Sequence, residues 1–289
     1  MSAGARSWGA GAASRVVLSL LSLHAAVLVA LPLVVLFAYA FADRDELGDV
    51  IARPSTEAVR RALSPLYLGV LARSLGAAAA VTAVCVAFAI PVAWTIAAAP
   101  PRWGRRLSLL VIVPFFTGVL VRAYALMTLL AADGWVAALL RALGLGGDSL
   151  GLLYTPGAAM TGLVFVYFPM AVIPIQASLA RLDPGLLDAA LDLGATPVRA
   201  FVHVALPALR PGVVAAITLT FLPAIGMFAV VDLLGGGRAP LVGSVIASAL
   251  GGGRDWPFGA ALGAVLVTLF ALFTFTAAAR AVAGRAEAS

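Results

Sequence analysis

Asp188-Ala189-Ala190-Leu191-Asp192-Leu193-Gly194, followed further on by Val204-Ala205-Leu206-Pro207, interrupts two long apolar segments with a polar insert. Just before it, Asp183-Pro184 offers an N-cap and then a proline at the first helical position, where a missing N–H costs nothing. The helix begun there can run to Leu193, with Gly194 free to take the left-handed conformation that ends it. Thr196-Pro197 repeats the start signal. Val198, Phe201, Val202, Ala205 and Leu206 then recur at i, i+3, i+4, i+7 and i+8, an apolar face of a short helix, with Arg199 and His203 on the other face. Pro207 marks the exit. Residues 181–211 thus read as two short helices hinged at a glycine.

The flanks of this insert set the class. Of 289 residues 63% are hydrophobic and 11% charged, where soluble domains run nearer half apolar and about a quarter charged. Six segments, near 16–41, 75–98, 107–132, 158–180, 212–231 and 258–283, reach the roughly 20 apolar residues that span a hydrocarbon core. The expected fold is all-α, a polytopic membrane protein with six transmembrane helices. It forms a single transmembrane domain over 16–283, between a tail of residues 1–15 and a tail of residues 284–289. Arg6 and Arg15 before an apolar run, with Ala38-Tyr39-Ala40 after it, resemble a signal peptide. The run Val16–Phe41 is far longer than the roughly 7–15 residues of a signal core, so it reads as a retained span.

The net charge of +6 does not point to nucleic acid, because the arginines are spread over short loops. Arg102, Arg105 and Arg106 stand without an acid between spans two and three, a cytoplasmic marker. Arg6, Arg15, Arg280 and Arg285 fall on the same side if there are six spans. The opposite side carries Asp43, Asp45, Glu46, Asp49 and Glu57, although Arg44, Arg53, Arg60 and Arg61 blur the bias. Both termini and residues 181–211 are therefore expected in the cytoplasm.

Absent residues exclude several chemistries. The chain has no lysine, hence no P-loop lysine and no Schiff base. Only His24, His203 and Cys85 could offer soft metal ligands, and they are scattered, so no metal site and no cofactor are expected. The glycine runs 235–237 and 251–253 lack a following Lys-Ser/Thr and read as flexible external loop, and the connection 133–157 as a hairpin or short lateral helix. Pro91, Pro114, Pro169, Pro174 and Pro223 fall inside spans, where each frees a carbonyl and bends the helix.

The spacing of the insert resembles the EAA loop of ABC-importer permeases, with Asp188 where that family usually has Glu. The resemblance implies a type I importer permease whose loop takes up the motion of a separate ATPase. Asp188, Ala189, Ala190, Gly194, Val204, Leu206 and Pro207 would be its coupling residues, with Asp188 as pairing carboxylate, Gly194 as hinge and Leu206-Pro207 as the junction to span five. Val113-Pro114-Phe115-Phe116, Val121-Arg122-Ala123-Tyr124, Tyr154-Thr155-Pro156, Leu182-Asp183-Pro184, Leu222 to Phe228, Asp232 to Gly235 and Arg254 to Gly259 look like the first permease subunit of spermidine/putrescine importers. That implies a bacterial inner-membrane complex of two related permeases, a two-copy ATPase subunit and an external substrate-binding protein, with polyamines as cargo. Ferric iron or an organophosphonate in the same kind of machine is the nearest alternative. An ion-coupled secondary transporter would need interrupted helices or buried carboxylates near mid-membrane, and few acids lie there.

Arg122 is the one strong charge well inside a span, where it costs at least about 2.5–3.5 kcal/mol and marks a functional hypothesis by default. It can line the path, anchor helices through carbonyls or an acid such as Asp232, or snorkel outward. Tyr124, Phe228, Asp232, Asp255 and Trp256 supply the carboxylates and aromatic faces that a polyamine path favours. Trp256 reads equally as an interface-belt residue, and Asp255 as a helix-start acid.

Overall fold

The computed structural model describes residues 12–45, 48–51, 53–145, 151–238 and 240–286. Arg6, Glu46, Gly146, Gly147 and the last three residues lie outside them. The chain divides into two compact units, Pro65–Ala247, and Met1–Ser64 with Ser248–Ser289.

In the larger unit the core is a triangle of three helices, α3 (Pro65–Ala98), α7 (Pro156–Leu179) and α11 (Arg210–Gly226). Their facing stripes are built from small residues at helical spacing. On α3 these are Ser74, Ala78, Val81, Cys85, Ala89 and Ala93; on α11, Gly212, Ala216, Thr220 and Ala224. Without water between the helices, close approach of backbones is the main source of attraction, and small residues permit it. Ser74 secures the packing by donating to the Val70 carbonyl and accepting from the Val242 amide, both at 2.8 Å.

Around this triangle run α4 (Pro101–Ile112), α5 (Val119–Leu130), α6 (Trp135–Ala142), α8 (Pro184–Asp192), α9 (Pro197–Ala200), α10 (Leu206–Ala208), α12 (Ala229–Gly235) and α13 (Val242–Leu250). Gln176 donates from Nε2 to Ser108 Oγ at 2.7 Å and ties α7 to α4.

The smaller unit joins the two ends of the chain. Here α1 (Ala12–Ala40) and α2 (Glu57–Ala62) pack on α14 (Trp256–Ala286). Between α1 and α2 lies a two-strand antiparallel ribbon, β1 (Asp43–Arg44) with β2 (Val50–Ile51), which the all-α expectation lacked. Asp255 is buried and accepts Arg61 at 2.8 Å and Arg44 at 3.2 Å, and its other oxygen caps the Phe258 amide. Arg61 also lies over the Phe258 ring at 4.5 Å. Removing the carboxylate strands two guanidinium groups, so Asp255→Ala should lower the thermal stability of the purified protein by about 1–3 kcal/mol, less than a fully buried pair because both arginines are partly exposed.

The span boundaries need two corrections. The expected helix over 107–132 is broken: α4 stops at Ile112, a 3₁₀ turn covers Val113–Phe116, and α5 starts only at Val119. Pro114 withholds a donor, and Thr117 and Gly118 take extended backbone. The expected helix over 212–231 ends at Gly226, where Met227 is extended, and restarts as α12. The glycine runs 235–237 and 251–253 border turns, Gly236 taking φ +61 to close α12, and between them lies α13, which the sequence reading did not identify. Among the described residues, Leu21–Ala40, Pro65–Ala98, Val119–Ala142 and Pro156–Leu179 are long and apolar enough to cross a membrane. Pro197–Ala208 with Arg210–Gly226 passes as a pair bent by 64°, and Trp256–Leu272 is a shorter apolar stretch.

Candidate functional site

The insert between α7 and α11 folds through its own caps. Asp183 accepts the Gly185 amide at 2.9 Å and starts α8. After Asp192 the chain turns through Gly194 at φ +85, with the Gly194 amide bonded to the Leu191 carbonyl at 2.9 Å and the Ala195 amide to that of Ala190 at 3.0 Å. This is the glycine-ended helix that the sequence predicts. Thr196 then accepts the Arg199 amide at 3.3 Å and starts α9.

The second leg departs from expectation. A π-helical turn over Phe201–Ala205 inserts an extra residue, so the inward face becomes Ala200, Ala205 and Leu209. Of the predicted apolar face, Ala205 is buried and Phe201 half-buried, while Val198, Val202 and Leu206 are exposed. Val202, Leu206 and Pro207 instead line a shallow groove of about 320 Å³ with Arg210, Val213 and Val214. Arg199 and His203 do share the exposed side, the Arg199 carbonyl lying 3.0 Å from His203 Nδ1.

Several apolar side chains of the loop are exposed. Leu193 is 89% exposed and Val198 71%, with Leu186 and Leu191 also exposed. They stand beside Asp188, Ala189 and Gly194, themselves exposed, while Ala190 and Val204 are half-buried. The inner side of the loop rests on the core: the Phe201 ring meets Trp94 of α3 edge-on at 5.2 Å. A cavity of about 220 Å³ lies beside it, walled by Trp94, Ala97, Ala98, Leu179, Leu182 and Leu187. Neither Trp94 nor Phe201 stood out in the sequence as a pair, because the contact joins residues far apart in the chain.

The membrane candidates fall into separate places. Arg122 is 6% exposed and donates from Nη1 to the Val166 carbonyl at 3.1 Å, with its guanidinium 5.9 Å from the Phe115 ring. Val166 lies in α7 next to Phe165, whose carbonyl Pro169 leaves without its helical donor. This is the anchoring geometry among the three readings, and the partner is a carbonyl rather than Asp232. Arg122→Gln, too short to reach Val166, should lower stability by about 1–3 kcal/mol in a thermal melt of the detergent-solubilised protein.

Tyr124, two residues on, is exposed on the other side of α5. Phe228 caps the start of α12 and Asp232 lies one turn on, its amide donating to the Phe228 carbonyl at 2.8 Å; both side chains are exposed, and α12 packs against α5. Asp255 and Trp256 belong to the smaller unit. Asp255 is closed on its two arginines, and the Trp256 ring lies 6.3 Å from that of Tyr39.

Comparison with known proteins agrees with this architecture. Residues 3–287 match the family described as the binding-protein-dependent transport system inner membrane component. The spermidine/putrescine transport system permease protein PotB of Escherichia coli strain K12 is 37% identical over 244 residues, covering 84% of this chain and 89% of that protein. Its namesake from Haemophilus influenzae is 36% identical over 248 residues, covering 86% of each. A crystal structure of a bacterial ABC transporter involved in alginate import superposes with a TM-score of 0.66 at 18% identity, over 91% of this chain and 94% of that one, which shows a shared fold. The chain belongs to the binding-protein-dependent transport family and is a multi-pass inner-membrane permease subunit of an ABC importer.

Proposed function

We propose that this permease imports polyamines of the spermidine/putrescine class, driven by an ATPase that docks on residues 181–211. The observation that carries the cargo is the 37% identity to PotB along 84% of the chain. The docking role is supported by the exposed Leu193 and Val198 beside Asp188 and by the glycine turn between two capped helices. In this reading the chain crosses six times, with α1, α3, α5 and α6 together, α7, α11 and α14 as spans. Both termini and the loop are cytoplasmic. ATP hydrolysis resides on a two-copy partner subunit, and a second permease and an external binding protein complete the complex. Asp232, with Phe228 one turn before it and Tyr124 on the neighbouring α5, lines the path, while Arg122 and Asp255 hold helices in place.

The test is uptake into proteoliposomes holding the complete complex, with loaded binding protein in excess. ATP-dependent accumulation of labelled spermidine or putrescine is expected, and uptake of ferric iron or a phosphonate without polyamine would overturn the cargo. Asp232→Asn should lower polyamine flux about fivefold, the factor for roughly 1 kcal/mol of a partly exposed charge pair, with ATP hydrolysis in the absence of substrate unchanged. Unaltered flux would remove Asp232 from the path.

A further inference from the structure

We infer that Trp94 is a direct contact through which the docking loop moves the end of α3, a positioning residue for the transport cycle; this rests on the docking role proposed above. The loop is covalently continuous with α7 and α11 but not with α3, the third member of the core triangle. α3 packs along α7 and α11, so a displacement of the loop reaches it through them, and it also reaches α3 directly where the loop faces Trp94. From the first leg, Leu182 and Leu187 line the cavity that Trp94 also walls. From the second, the Phe201 ring abuts Trp94 edge-on at 5.2 Å with the planes at 86°. Leu182, Leu187, Phe201 and Trp94 are all half-buried.

The segment of α3 that carries Trp94 is built to move. Pro91 lies inside α3 one turn earlier, and its missing N–H leaves the Ala87 carbonyl without its helical donor. The Pro91 carbonyl in turn accepts the Thr95 hydroxyl at 2.8 Å, a local back-bond of a kind that accompanies helix bends. Val92 to Ala98 is therefore an end segment beyond the proline, and the tryptophan lies within it. The cavity of about 220 Å³ beside Trp94 gives that segment and α8 room to close without overlap. An aromatic pair suits the transfer, since edge-to-face rings hold a preferred angle as well as a distance. Push the loop inward and the ring contact carries α3 with it.

The measurement is the number of polyamine molecules imported per ATP hydrolysed by the reconstituted complex, for wild type, Trp94→Ala, Trp94→Phe, Phe201→Ala and the double alanine variant. Trp94→Ala is expected to lower the ratio by up to about tenfold, the factor a ring pair of this kind can carry, while the ATPase stays bound. Trp94→Phe keeps a ring and should recover most of the ratio. The double variant should be no worse than the worse single one, because both remove one shared contact. A merely structural tryptophan would change the yield of assembled complex and leave the ratio per complex at its wild-type value, and that result overturns the inference.

Leu193→Asp separates the two readings. If it abolishes ATPase co-purification while Trp94→Ala leaves the ratio normal, the docking role stands and the Trp94 role falls. If Leu193→Asp leaves both assembly and uptake intact, the docking role fails and the Trp94 role with it.

Discussion

Gly194→Val is expected to give an assembled importer that has lost transport by more than tenfold. Gly194 sits at φ +85 between α8 and α9 with open space around the position where a Cβ would project. A side chain therefore meets no steric neighbour, and the effect comes from the backbone alone. A β-branched residue in the left-handed region costs about 2 kcal/mol or more, which the loop relieves by swinging one leg away from the other. The two legs would then no longer present Leu193, Val198 and Asp188 as one surface. Gly194→Asn is the control, since asparagine tolerates the left-handed region through its local hydrogen bonding. Uptake by the asparagine variant should stay within about threefold of wild type, a spread near the cost of a tolerated left-handed residue. Equal activity of the valine variant would mean that the turn is only a connector.

Gly212→Val is expected to disrupt the fold. Gly212 opens α11 against the end of α7, where an added Cβ would come within 2.6 Å of the Pro174 carbonyl and also meet the Ser178 side chain. The carbonyl belongs to a backbone and has nowhere to go. Overpacking of this kind costs about 1–3 kcal/mol where neighbours can shift, and more where the obstacle is main chain. Separation of α7 from α11 would also dislocate the loop they hold. The variant is expected to lose most of the folded protein in a fluorescence-detected size-exclusion assay of solubilised membranes. A normal peak with a normal melting temperature would show that the α7–α11 approach is looser than it stands here.

Periodicity and capping made much of this legible in the sequence. Asp183-Pro184, Gly194 and Thr196-Pro197 act locally, so the turns they set survive in the fold as read. The long apolar runs that became α1, α3, α7 and α14 were equally plain, because length and hydropathy are properties of the chain itself. What failed were continuity and facing. Pro114 broke a run that hydropathy alone joins, and Gly226-Met227 ended another. The π turn at Phe201–Ala205 rotated a face that a fixed 3.6-residue period had assigned to Val198, Val202 and Leu206. The helix α13 was hidden between glycine runs, although Val242, Val245, Ile246 and Ala249 already carry helical spacing.

Polar partners were the least legible. Asp255 with Arg44 and Arg61, and Arg122 with the Val166 carbonyl, join residues separated by dozens to hundreds of positions. The pairing also accounts for two of the four arginines that blurred the charge bias of residues 42–66. Arg44 and Arg61 neutralise Asp255, and Asp49 pairs with Arg254 at 3.1 Å. A count of signs along the chain cannot register such pairs.

In the proposed mechanism residues 181–211 meet an ATPase on the cytoplasmic side. A photo-cross-linker placed at position 193, whose native leucine is 89% exposed, tests it in the intact complex in membranes. The account predicts a covalent product with the ATPase subunit, formed in inside-out vesicles and shielded from a membrane-impermeant thiol reagent added outside whole cells to the matching Leu193→Cys variant in a Cys85→Ala background. A product with the external binding protein, or labelling of that cysteine from outside, would contradict it.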